Sequence, residues 1–282
     1  MALEASEIQA LRPDALGPAD IEAKAETLGV TKAEMPKGKA FVLAIAAGMF
    51  IGMGGMFMLL IKGDATFSFA TSQLLGGFVF ALGLFLVVAA GAELFTGNCL
   101  MICGRLSGKY GWKKMLVSWL VVFLGNLVGS LIMVCILFFA NYGANNGGAV
   151  ANAMMTVAAS KIDQAWFVLC LKGLMCNFLV CLAVWISFGA RTIVDKFFSV
   201  LLPIMAFVAC GFEHCVANMF FLPMGLVTKL SGFAYTGAAN IDVLNLGGVL
   251  YNISAATVGN IIGGAVVVGI LYWVAYAKKK KG

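Results

Sequence analysis

Hydrophobic positions in this chain fall into six long stretches, at about 40–61, 74–103, 115–140, 165–186, 197–227 and 248–276, with short polar segments between them. Each is close to the ~20 residues that cross a bilayer as a helix. Two are interrupted: the second by the run from Glu93 to Asn98, and the fifth by Gly211–Phe–Glu–His214 and again by Pro223. Neither side of either break is long enough to cross alone, so the pattern predicts broken helices with loops at membrane depth. Backbone of that kind survives only where it is buried in protein or lines a wet cavity. The expected fold is an all-α polytopic membrane protein with six transmembrane helices, the second and fifth broken around a pore.

Composition agrees. The chain is 62% hydrophobic and 11% charged, against about 45–50% and 25% in soluble domains. Its 34 glycines and 15 methionines suit close helix packing in lipid. Three regions are expected: an N-terminal arm at 1–36, a channel domain at 37–277 and a basic tail at 278–282. The arm is acidic and lacks the apolar run of a signal peptide. Within it Pro18 to Gly29 reads as a short helix, with Pro18 and Asp20 at its start and Gly29 after its last apolar residue. Such an arm is either a gate or a solvated tail, and terminal charge favours the tail.

Lysine and arginine concentrate in the arm, the 104–114 loop, the 190–196 loop and the C-terminal tail, leaving Lys62, Lys161 and Lys229 on the other side. Both termini are therefore expected in the cytoplasm. The net charge of +6 reports this topology and gives no support to nucleic-acid binding.

The halves of the chain echo each other. Ala90–Gly91–Ala92–Glu93–Leu94–Phe95 is answered by Cys210–Gly211–Phe212–Glu213–His214–Cys215, and Gly125–Asn126 with Gly129 by Gly259–Asn260 with Gly263. Three spans per unit make the two repeats inverted, the architecture in which substrate sits near the midplane between discontinuous helices.

Within that frame the polar residues at depth can be weighed. His214 is the protein's single histidine, the side chain that titrates near neutral pH, and an ionisable group at that depth normally faces a cavity or a partner. Glu93 and Glu213 read first as structural carboxylates accepting hydrogen bonds from the loops. Thr96 and Asn177 serve equally well as interhelical glue or as solute contacts. Lys172 either snorkels or faces the pore, and Lys161 is a candidate vestibule cation that raises local anion concentration. The eight cysteines lie in apolar stretches with no CxxC pair, as small hydrophobes do. A metal site, a cofactor and enzymatic chemistry are not expected, because no GxSxG, HExxH or phosphate-binding glycine loop occurs.

The runs Gly91–Ala–Glu–Leu–Phe–Thr–Gly97, Gly173 to Trp185 and Gly211 to Phe220 resemble the signatures of the formate/nitrite transporter family, over a similarity from about Lys37 to Tyr276. The resemblance implies an aquaporin-like homopentamer in a bacterial or archaeal cytoplasmic membrane. Each protomer would carry its own pore for a small anion, formate first, with nitrite or hydrosulfide as the alternative, and with protons as possible co-substrates. By motif, His214 is the implied pore histidine, Thr96 its hydrogen-bonding partner and Asn177 the pore asparagine. Phe80, Leu84, Leu94, Phe95, Val180 and Phe207 are the implied constrictions, and Lys161 the entrance lysine. The same resemblance suggests that the histidine transiently protonates the substrate. Lys172 matches nitrite-type members better than formate channels.

Overall fold

A computed structural model of the chain describes residues 16–277. The first fifteen residues and the basic 278–282 tail lie outside that range.

Helix α1 (Pro18–Glu34) begins at a proline, whose fixed φ suits a first turn, and stops before Pro36. It is longer than the sequence suggested, and it is not a solvated tail. Ala25, Gly29 and Ala33, four residues apart, form a buried face of small side chains. Gly29 lies so close to Tyr110 that a methyl group there would meet the phenol.

Helices α2 (Lys37–Lys62) and α3 (Phe69–Ala90) follow, the latter capped by Ser68, which accepts the Thr71 N–H at 3.3 Å. Gly91 ends α3 at φ +82°, where a Cβ would be strained. After an extended turn the chain resumes in α4 (Phe95–Asn98), a 3₁₀ turn and α5 (Ile102–Leu106). Helix α6 (Trp112–Phe139) leads to α7 (Ala149–Ile162), α8 (Trp166–Gly189) and α9 (Ile193–Ala209). Gly211, at φ +68°, makes the second sharp turn, before α10 (Cys215–Leu230). The chain ends in α11 (Leu246–Tyr276), wound as a π-helix over Ile262–Ile270.

Five helices, α2, α3, α6, α8 and α11, are long and apolar enough to cross a membrane, and no strand occurs among the described residues. Helix α7 was not legible beforehand; the segment read as a loop. It is a 14-residue helix, half of it alanine and methionine, good helix formers, and too short to register as a span. It packs on α10, in which eleven of sixteen residues are buried, so that α10 lies in the interior. Glycine brings the flanking pairs to backbone contact. A Cβ on Gly48 or Gly129 would meet carbonyl oxygens across the α2–α6 interface, and one on Gly259 or Gly263 would do so across α8–α11.

Candidate functional site

The loops at Gly91–Leu94 and Gly211–His214 are held by the same set of bonds. Asn126, on α6, accepts the Phe95 N–H at 2.9 Å and donates to the carbonyls of Ala44 and Glu93. Asn260, on α11, accepts the Cys215 N–H at 2.8 Å and donates to the carbonyls of Gly173 and Glu213. Both side chains are fully buried. They supply the partners that non-helical backbone loses when it leaves water. The two glutamates take other partners. Glu93 accepts from Lys32 at 2.6 Å and from the Asn98 amide at 2.8 Å. Glu213 accepts from Lys161 at 3.0 Å and from the amides of Asn218 and Asn252. Lys32 therefore does for one loop what Lys161 does for the other. It was missed because its arm was judged by charge alone.

His214 is the N-cap of α10. Its Nδ1 accepts the Ala217 N–H at 2.9 Å, and Nε2 lies 3.0 Å from Thr96 Oγ1. A nitrogen that accepts a backbone amide carries no proton, so the neutral ring bears its hydrogen on Nε2 and presents it to Thr96. The ring stacks on Phe207 at 5.8 Å between centroids, and Phe207 in turn meets Phe80 edge-on at 5.9 Å.

Two cavities approach this cluster from opposite ends of α3. One, of about 440 Å³, is lined by Gln73 and Phe80 of that helix together with Lys161, Lys172, Phe207 and His214. The other, of about 430 Å³, is lined by Leu84 and Val87 of the same helix, by Gly91, Glu93 and Leu94 of the loop, and by Lys24 and Lys32 of α1. Phe80 and Leu84 are one turn apart, about 6 Å along the axis. The two cavities thus end about one helical turn apart along α3, with a plug of apolar side chains between them.

The remaining expected residues sort themselves around that plug. Thr96, Asn177, Val180 and Phe95 are buried and line neither cavity. Asn177 donates to the carbonyls of Thr96 (3.2 Å) and Asn260 (2.6 Å), tying the first loop to α11. Phe95 turns its ring to Trp119 and Phe123 of α6, with centroids 6.1 and 5.1 Å away. At the mouth of the second cavity Lys24 donates to the Phe188 carbonyl at 2.6 Å. Burial, and then the nearby Lys196 ammonium, push the Lys24 amine below its ordinary pKa.

The family model described as formate/nitrite transporter matches residues 19–274. The formate channel FocA of Escherichia coli K12 is 38% identical over 94% of this chain and 96% of its own length. A probable formate transporter of Methanothermobacter thermautotrophicus is 34% identical over 93% of this chain and 97% of its own. Among solved structures, a pentameric formate channel with formate bound superposes with a TM-score of 0.77 at 40% identity, covering 86% of this chain and 98% of that one. An ion channel of the same family gives 0.79 at 28% identity, covering 91% and 98%.

Proposed function

Because the chain belongs to the formate/nitrite transporter family, we propose that it is a membrane channel or transporter for small monovalent anions, formate first, working as a homopentamer with one pore per protomer. In this reading the α3–α4–α5 and α9–α10 segments are the broken spans of two inverted three-span repeats, and both termini are cytoplasmic. The domain is 37–277, with α1 its cytoplasmic arm. The matched bonds of Asn126 and Asn260 support the repeat. The observation that carries the functional reading is the His214–Thr96 pair, seated at the plug between two cavities that enter from opposite ends.

A bare anion does not cheaply cross an apolar section, because its hydration is lost without replacement. Low polarity raises the pKa of a carboxylic acid, so formate at the cavity floor takes a proton and crosses between Phe80 and Phe207 on one side and Leu84 and Leu94 on the other as the neutral acid. His214 serves this step as a hydrogen-bond donor through Nε2–H. It holds the substrate and the water that relays a proton to it from bulk solution on the entry side, and that proton returns to bulk when the acid dissociates on the other side. Imidazolium as the proton source requires a hydrogen on Nδ1 and so breaks the bond from Ala217, a capping interaction typically worth about 1 kcal/mol.

His214→Asn tests this, since asparagine both caps a helix and donates. In proteoliposomes the variant is expected to carry formate more slowly with its proton coupling intact. If coupling vanishes and a formate current appears, the ring itself hands over the proton. If the unaltered protein passes no formate, nitrite or hydrosulfide, the reading as a whole fails.

A further inference from the structure

The cavity that ends at His214 has three lysines on its wall, Lys62, Lys161 and Lys172, and a single carboxylate, Glu213, among the described residues. The carboxylate is bonded to Lys161 at 3.0 Å, so that pair contributes little net charge. The other two ammonium groups are held quite differently. Lys62 Nζ donates to the side-chain oxygen of Gln73 and lies 3.3 Å from Ser72 Oγ. Lys172 Nζ donates to the side-chain oxygen of Gln164.

In both glutamines the amide is oriented from behind. Gln73 Nε2 donates to the Ala209 carbonyl at 3.0 Å, and Gln164 Nε2 to the Ser160 carbonyl at 2.7 Å. Each therefore offers its oxygen to the lysine and anchors the ammonium without neutralising it. The nearest acidic residues in sequence do not intervene. Asp64 turns onto the Thr66 N–H and hydroxyl, and Asp163 is exposed and lines neither this cavity nor its neighbour.

Lys62 also lines that neighbour, an adjoining basin of about 770 Å³ that shares Thr156 and Val157 with the first. Lys62 lines both cavities, whereas Lys172 lines only the one that reaches His214.

We propose that Lys62 and Lys172, positioned by Gln73 and Gln164, are the residues that concentrate anions at this mouth of the pore, while Lys161 serves Glu213. The proposal rests on the anion-channel reading above. It assigns the entry step to two uncompensated charges, and it gives the glutamines a purpose that glutamate would defeat. A low-dielectric cleft with like charges on its wall raises local counter-ion concentration and entry rate by about 10-fold or more.

The test replaces the glutamines and leaves the lysines in place. Initial formate influx from the Lys161 side is measured in oriented vesicles at low ionic strength and again near 1 M, where the screening length falls to about 3 Å. Gln73→Glu with Gln164→Glu keeps both tethers and cancels both charges. It is expected to cut influx about 10-fold at low salt, to flatten the salt dependence and to match the unaltered protein at high salt. Gln73→Met with Gln164→Met removes the tethers and keeps the charges, so its influx stays salt-dependent and falls less at low salt than that of the glutamate variant. Lys62→Gln with Lys172→Gln repeats the glutamate result.

The reverse pattern, with methionine damaging and glutamate harmless, makes the glutamines mere helix ties and overturns the proposal. A lysine double variant with full influx and a full salt slope overturns it as well. Both outcomes leave the channel reading standing. Unaltered protein that carries no anion defeats that reading and this inference together.

Discussion

Asn260→Leu is the sharpest test of how the loop beside His214 is held. The asparagine is fully buried, and its side chain makes three bonds of 2.8 Å: one accepted from the Cys215 N–H and two donated, to Gly173 and Glu213. Leucine keeps the same branched heavy-atom skeleton, so no cavity opens. The loss is one amide and two carbonyls left without that partner in a dry interior. Each such group costs about 1–3 kcal/mol. The Gly173 carbonyl keeps its partner within α8, whereas the Glu213 carbonyl in the loop does not, which sets the total at about 3–5 kcal/mol. At roughly 2–4 °C per kcal/mol for chains of about 150–250 residues, the melting temperature falls by on the order of 10 °C. Thermal unfolding in detergent reads this directly, and formate uptake by surviving folded protein falls with it because the loop sets the position of Nε2. Asn126→Leu is expected to behave alike, through the Phe95 N–H and the carbonyls of Ala44 and Glu93. An Asn260→Leu protein that melts within about 2 °C of the original refutes the argument that these amides secure the loops.

Two further outcomes follow from the same structure. Gly259→Val places its Cβ on the Cys170 carbonyl, forces α8 and α11 apart and lowers stability by about 3 kcal/mol or more, as overpacking does; normal thermal stability excludes the close approach. Glu22, on α1, has its pKa raised to about 7 by burial and then by the Glu26 carboxylate, while Lys109 and Ser107 hold Glu26 below its ordinary value despite its own burial. A carboxyl whose pKa is raised in the docked arm stabilises docking fully below about 4.5 and loses that contribution as pH rises through about 7. Amide exchange in residues 18–34 should therefore quicken, after correction for intrinsic rates, as pH rises from about 4.5 to about 7, and level off above that. Glu22→Gln should abolish this rise, and an unchanged profile refutes the linkage.

The long helices were legible because a span needs only length and apolarity, and both sharp turns announced themselves through Gly91 and Gly211 beside a glutamate. Asn126 and Asn260 were visible as a repeated motif, yet their task was not. Glutamate seemed the natural acceptor for loop amides, whereas the carboxylates go to lysine and to side-chain amides. Long-range partners of this kind carry no local pattern. Lys32 reaches Glu93 across 61 positions, from a segment whose acidic character suggested solvation and whose small-residue face went unnoticed. Gln73 and Gln164 were invisible for the opposite reason, being uncharged residues in polar surroundings. His214 stood out by type and depth. The role of its Nδ1 as a helix cap depends on φ and on the Ala217 amide, which no spacing rule supplies.

The pairing of Lys32 with Glu93 changes what a shortened version of this protein would be. Removing everything before Lys37 amputates no ornament. It strips the second cavity of Lys24 and Lys32 and leaves the Glu93 carboxylate with only Asn98 as a side-chain partner. Such a chain would keep Arg191 and Lys196 at that mouth, yet arriving anions would meet there a carboxylate that has lost its ammonium.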